Sequence, residues 1–437
     1  MSWRRLLSVL VTVTLVLTSS LGPPRTAHAD TLKVDDDGAQ CSDASYTSIQ
    51  DAIDHASDGD EIVVCPGTYA EQISISKNNL NIHSVDGSAV DGSADTVIRP
   101  PELSPAGVLI TGNGNTFKGF KVEDTTTGHS HAHRLIFVQG DNNRIENNLL
   151  VGRPEANSDS GVLVRGGGVG NGIAEGNQVV GNEVTGVNNN AILSVSVNSA
   201  NAARGTVIIG NRVHDNPGNG IAADRSPDTT VRFNTLTGNG VGLFFNATST
   251  LPGTGTIFRC NNISGNTVGA KNDSWTEVMD AELNWWGAAS GPNTPGADTT
   301  QGNVDFLPYL TVQATGPDCS FTVQIDIKPG SFPNSINPDS KGVIPVAILS
   351  QPGFNPVTDV DQTTLKFGAT GDESSFTGRC DSTVGDLNSD GTPDLVCYFE
   401  TQKTGFTSGS TTGTLKGRTQ DGDPFQGTDS VRIVPRP

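Results

Sequence analysis

Apolar residues recur along this chain in very short groups, and one grouping returns again and again. Between about Asn115 and Trp286 the unit is an apolar residue, two variable residues, an asparagine, one variable residue and another apolar residue. It reads Ile145-Glu146-Asn147-Asn148-Leu149-Leu150, then Ile208-Ile209-Gly210-Asn211-Arg212-Val213, Val231-Arg232-Phe233-Asn234-Thr235-Leu236 and Phe258-Arg259-Cys260-Asn261-Asn262-Ile263, with looser copies centred on Asn177 and Asn284. Anchors at 148, 177, 211, 234, 261 and 284 give a period that signals stacked repeats. Between anchors, Val, Ile, Leu and Phe alternate with small or polar residues over stretches broken by Gly-Asn, which predicts short strands. The 52 glycines argue against helical repeats and suit tight turns of positive φ.

If each repeat is one coil of a solenoid, successive coils stack at about 4.8 Å. Equivalent asparagines then form an internal ladder of side-chain amides, coil bonded to coil. A second series, Gly218-Asn219-Gly220-Ile221, Gly238-Asn239-Gly240-Val241 and Gly265-Asn266-Thr267-Val268, follows the anchors and opens another strand in the same phase. A solenoid must also close its ends, because an uncapped coil exposes edge strands and core. Ile49, Ala52, Ile53 and Ala56 share one face of a short amphipathic helix, and Asp58-Gly59-Asp60 turns from it into the strand Glu61-Ile62-Val63-Val64.

The run from Tyr46 through Cys65-Pro66-Gly67-Thr68-Tyr69-Ala70-Glu71 resembles the opening cap of pectin-lyase-like β-helix proteins. Asn284-Trp285-Trp286-Gly287, Ser290-Gly291-Pro292 and Val304-Asp305-Phe306-Leu307-Pro308-Tyr309-Leu310 resemble the closing segment of secreted members of that superfamily. The resemblance implies an all-β chain whose residues 30–318 form a right-handed parallel β-helix. It also places the chain beside polysaccharide lyases, glycoside hydrolases and epimerases. From Cys319 the repeat stops. Ile325-Asp326-Ile327-Lys328-Pro329-Gly330-Ser331 and Lys341-Gly342-Val343-Ile344-Pro345-Val346-Ala347-Ile348-Leu349 look like a small β-rich module appended to many exported bacterial proteins. Alternating apolar positions such as Val323, Ile325 and Ile327 predict the strands of a sandwich over 319–437.

Composition sharpens the setting. Arg4 and Arg5, the apolar run Leu6 to Leu17 and Ala27-His28-Ala29 read as a signal peptide over 1–29, cleaved near Ala29-Asp30 into an extracellular or periplasmic compartment. No later segment is apolar for long enough to span a bilayer. The net charge of −20 repels nucleic acid and anionic membranes. Six cysteines without a paired C-x-x-C spacing read as disulfides in an exported chain. Sequence neighbourhood suggests Cys41 with Cys65, Cys260 with Cys319 and Cys380 with Cys397.

Three groups carry candidate chemistry. In Asp386-Leu387-Asn388-Ser389-Asp390-Gly391-Thr392-Pro393-Asp394, oxygen-bearing residues fall at loop positions 1, 3, 5 and 9, with glycine at 6 and the Thr392 carbonyl at 7, a crowd that a hard cation wants. The loop resembles the calcium loop of dockerins and EF-hands, which implies a structural Ca2+. It departs from them at position 12, where Cys397 replaces the bidentate glutamate. His129, His131 and His133 alternate along the chain, as transition-metal ligands gathered by a loop or as a polar loop. Aligned on the anchors, Arg165, Asp224, Arg225 and Asn246 fall at comparable positions on different coils, with His214 and Asp215 nearby in sequence. Such a row could line a groove for a sugar chain. The Asn-Thr-Asp motif of polygalacturonases, the Arg-x-Pro-x-x-Arg motif of pectate lyases and the Asp-Pro-His motif of alginate epimerases are all absent. The expected function is a secreted protein that binds or processes an extended polysaccharide or cell-surface glycan. The alternatives are a non-catalytic adhesion or scaffold protein, and metal handling similar to the β-helix proteins of nitrous oxide reductase copper-site assembly.

Overall fold

A computed structural model describes residues 29–90, 95–101, 106–125, 133–153, 158–167, 172–315 and 319–434. Residues 1–28 of the expected signal peptide, together with His129 and His131, lie outside them; His133 opens a strand, but its side chain is not described.

The chain is a right-handed parallel β-helix followed by a smaller β-domain. Among the described residues, three parallel sheets run the length of the solenoid. The first has eleven strands from Thr31–Val34 to Val304–Asp305, the second eight from Gly67–Tyr69 to Asn262–Ser264, and the third nine from Ile73–Ile75 to Thr300–Gln301. Register is strict. In the first sheet Ile62, Ile82, Phe117, Ile145, Val179, Ile208, Val231 and Phe258 sit opposite one another coil after coil, and all are buried. Three-residue strands suffice, because one inward apolar residue per strand fills the bore and the next residue turns the corner.

The corners are held by amides. The main ladder is Asn148, Asn182, Asn211, Asn234, Asn261 and Asn284, each bonded through Nδ2 to the Oδ1 of the next at 2.9–3.0 Å. Asn182, not Asn177, is the partner of Asn148. Asn177 belongs to a second ladder with Asn115 and Asn143, whose position on the following coils is taken by buried threonines at 206, 229 and 256. A third ladder joins Asn216, Asn239 and Asn266 and ends on the carboxylate of Asp298. Asn219 is outside it: this residue starts a third-sheet strand and pairs with Val241.

The N-terminal cap is the helix Ile49–His55, which buries Ile49, Ala52 and Ile53 against the first coil. Ser48 is its N-cap, and the Glu71 carboxylate accepts the Ser48 hydroxyl and the N–H groups of Ile49 and Gln50 at 2.7–2.9 Å, a favourable place for negative charge. Trp286 plugs the other end, wholly buried.

The C-terminal domain packs two four-stranded sheets. One runs in the order Phe321–Thr322, Pro424–Ser430, Thr412–Thr419, Val360–Gly368; the other Ile325–Ile327, Val343–Ile348, Leu395–Glu400, Phe376–Asp381. Their shared core includes Phe321, Phe367, Phe399 and Phe425, and it also takes in Cys260 and Leu283 of the solenoid. The disulfides pair Cys41 with Cys65, Cys260 with Cys319 and Cys380 with Cys397. The second of these joins the two domains.

Candidate functional site

The flank of the third sheet assembles from strand register. Val164 opposes Ser194, Val195 opposes Asp224, and Asp224 opposes Asn246, while the Asp273 N–H reaches the Phe245 carbonyl at 2.9 Å. Arg165, Val195, Asp224, Asn246 and Asp273 therefore occupy one outward row on five coils. Four coil steps span about 19 Å at the inter-strand spacing. Within the row Asp224 is firmly held. Arg225 grips it through Nε at 2.8 Å and Nη2 at 2.7 Å, and Asn246 Nδ2 donates to it at 2.9 Å. That side-chain bond and ion pair keep the Arg225 guanidinium charged by raising its pKa. Arg165 stacks over the Phe137 ring, 5.0 Å from its centroid, the stable lodging for a cation on an aromatic face.

His214 and Asp215 are elsewhere. His214 ends the strand Arg212–His214 of the second sheet, on a different face from Asp224. Its Nε2 lies 2.9 Å from Glu183 Oε1 and its Nδ1 2.7 Å from Asp215 Oδ2, and Arg212 pairs with the same glutamate. Proximity in sequence misleads here because the chain turns a corner between residues 215 and 219. The expected grouping of Arg165, Asp224, Arg225 and Asn246 with His214 and Asp215 thus divides into two faces. Glu183, the carboxylate that anchors His214, sits one coil away and carries no motif that would announce it.

The oxygen-rich loop connects the strands Phe376–Asp381 and Leu395–Glu400, and the Cys380–Cys397 disulfide bridges directly opposed residues at its base. The fold brings four of its five expected ligands around a residue that sequence reasoning does not mark, Ser350. The Ser350 Oγ lies 3.0 Å from both oxygens of Asp390, 3.0 Å from Asp394 Oδ1 and 3.3 Å from the Thr392 carbonyl, and Asn388 Nδ2 donates to the Ser350 carbonyl at 2.8 Å. Asp386 turns instead to the loop, accepting the N–H groups of Ser389, Asp390 and Gly391. Asp394 is fully buried and also accepts the Ser350 and Leu387 N–H groups. Hydrogen bonds, first that from the Thr392 N–H, hold the exposed Asp390 carboxyl below its ordinary pKa. One hydroxyl proton cannot satisfy so many acceptors at once, and backbone N–H groups share the load at Asp386, Asp390 and Asp394.

Among the described residues, the carboxylates of Asp35, Asp36 and Asp37 converge closely enough to hold a metal ion. Cys41 and Cys65 lie beside Asp35, but their sulfurs are joined to each other and are not free thiolate ligands.

A third concentration of charge lies where the domains meet. Arg259 pairs with Asp280 through Nε and Nη2 at 2.8 Å, with Glu282 at 3.0 Å and with Asp423 of the C-terminal domain at 2.5 Å. A cavity of about 350 Å³ opens beside it, lined by Glu282, Asp359, Asp421 and Asp423 among others. Burial pushes the Glu282 carboxyl up to about 7, against the pull of Arg259.

Residues 106–284 match the family model described as the right handed beta helix region. That is less than half of the chain. None of the curated proteins matches it significantly. Among solved structures, the chain is similar to a pectate lyase at 14% identity, with a TM-score of 0.42, covering 64% of this chain and 79% of that one. A pectin methylesterase from Aspergillus niger gives 11%, 0.36, 67% and 93%. The A-module of a mannuronan C-5 epimerase from Azotobacter vinelandii gives 15%, 0.31, 60% and 94%. Among the described residues, no helix is long and apolar enough to cross a membrane.

Proposed function

We propose that this is an exported protein whose solenoid binds an extended polysaccharide along the third-sheet flank. On this reading residues 1–29 are a leader, 30–318 the binding solenoid and 319–437 a module braced by Ca2+ at Asp386, Asn388, Asp390, Thr392 and Asp394. The observation that carries the reading is the row Arg165, Val195, Asp224, Asn246 and Asp273, in which every coil but that of the apolar Val195 offers a hydrogen-bonding group. A polymer with regularly spaced hydroxyl or carboxylate groups matches such a line. Binding fits better than turnover, because Asp224 is committed to Arg225 and Asn246, and a general base must be free to take a proton.

The test is a panel of polyuronates and neutral glycans, with and without calcium, read for both binding and release of unsaturated or reducing ends. Saturable binding that Asp224→Ala weakens supports the proposal. Released ends would assign lyase, hydrolase or epimerase-like processing instead. Failure to bind any member would overturn it in favour of a scaffold.

A further inference from the structure

Trp275 is 94% exposed, two residues beyond Asp273 at the end of the polar row. Single exposed apolar side chains are ordinary, so exposure alone decides nothing. Two further features do. The first is that the turn carrying the indole is rigid. Ser274 N–H donates to Asn272 Oδ1 at 2.7 Å, Ser274 Oγ accepts the N–H groups of Thr276 and Glu277 at 3.2 and 3.0 Å, and Asn272 Nδ2 closes the turn onto the Glu277 carbonyl at 2.9 Å. The turn is also pinned to the previous coil, since Ser274 Oγ donates to the Ala247 carbonyl at 3.2 Å and Glu277 Oε1 accepts the Gly253 N–H at 3.1 Å. A well-fixed backbone holds out a large aromatic surface and leaves its burial free energy unused.

The second is position. Ala247 follows Asn246 directly, so the turn that carries the indole is tied beside Asn246 and follows directly on Asp273. Lys271, ion-paired with Asp273 at 3.0 Å, covers the neighbouring Phe244 ring. Trp285 and Trp286, by contrast, are engaged in the closing coils.

We infer that Trp275 is the stacking platform on which one sugar ring of the bound polysaccharide rests. A pyranose ring presents C–H groups on its face and hydroxyls at its rim. The face suits the indole and the rim suits the carboxylate and amide of Asp273 and Asn246. Preorganised aromatic anchors of this kind bind with little ordering cost. The inference rests on the glycan-binding reading of the flank.

The experiment titrates the full mature chain, and its Trp275→Ala and Trp275→Tyr variants, with galacturonan, mannuronan and β-glucan oligosaccharides, using calorimetry and tryptophan emission. Expected are a blue shift of wild-type emission on binding, an affinity loss of about tenfold or more in Trp275→Ala, substantial retention in Trp275→Tyr, and an unchanged melting temperature in both. Equal affinity of wild type and Trp275→Ala for a glycan that binds overturns the platform and leaves the flank reading standing. Calorimetric binding without an emission change does the same. Absence of binding by the wild type overturns both.

Discussion

Asn211 donates from Nδ2 to the Oδ1 of Asn234 at 2.9 Å, and the same oxygen accepts the Asn211 backbone N–H at 2.9 Å. Asn234 in turn donates to the Ile208 carbonyl and to Asn261. One side chain thus satisfies backbone groups of the coil before it and passes the bond to the coil after it. Replacing Asn234 with alanine strands the buried Asn211 N–H and takes from the Ile208 carbonyl its side-chain donor. At 1–3 kcal/mol for each unsatisfied group, a loss of about 3 kcal/mol is expected. Asn219→Ala, which removes a partly exposed bond to Asn190, should cost less than about 1 kcal/mol. Urea denaturation of the two variants checks the contrast, and equal losses would show that the ladder is not the coil-to-coil tie.

How far the sequence speaks depends on the range of the interaction. The solenoid was legible because each coil repeats the same local demand, an apolar residue followed by a corner asparagine. The mistake over Asn177 has a physical origin. Gly176-Asn177 and Gly181-Asn182 both present an asparagine after a glycine of positive φ, and both do turn corners, but on different ladders. The loop from Asp386 to Asp394 is legible as a run of oxygen-bearing residues, whereas Ser350, supplied from just beyond the strand Val343–Ile348, has no local signature. The junction of Arg259 with Glu282 and Asp423 depends on how two domains dock, which no periodicity encodes.

That junction should make stability depend on pH in an unusual direction. Around Arg259 gather Asp280, Glu282 and Asp423, with Asp305 also acting on Glu282. One guanidinium cannot neutralise three carboxylates, so Glu282, largely desolvated, is held near 7. Its folded pKa lies above its unfolded one. The folded state therefore binds the extra proton between about pH 4.5 and 7, and stability falls as pH rises through that window. Denaturation midpoints should decline from pH 5 to 7.5 in the wild type. Glu282→Gln should flatten that slope, and a wild-type midpoint rising over the same range would contradict the assignment.

The loop around Ser350 predicts a cation effect. If Ca2+ occupies it, a hundredfold excess over the dissociation constant should add about 2.7 kcal/mol to stability by linkage. Asp390→Ala should abolish that gain, whereas Asp386→Ala should also loosen the calcium-free loop, because it removes the acceptor of the Ser389, Asp390 and Gly391 N–H groups. Melting that is indifferent to chelator in the wild type would remove the calcium reading.

Glycines test how closely the coils approach. At Gly140, φ is not positive, yet a Cβ would lie 2.0 Å from the Gly112 carbonyl oxygen and 2.9 Å from that of Thr111. The Gly112 carbonyl is fixed, because Asn143 Nδ2 donates to it at 3.0 Å, so neither the backbone beneath nor the ladder beside it can yield. Gly140→Ala must force adjacent coils apart, and a loss of about 3 kcal/mol or more, or failure to fold, is expected from overpacking against backbone. Gly265 is the control. Its φ of 73° makes alanine strained, but a Cβ there meets nothing within 4 Å, so Gly265→Ala should cost only the conformational penalty of about 1–2 kcal/mol. Yields of folded protein and denaturation midpoints distinguish the two. A tolerated Gly140→Ala would mean that the coils are spaced more widely than the register of the third sheet requires.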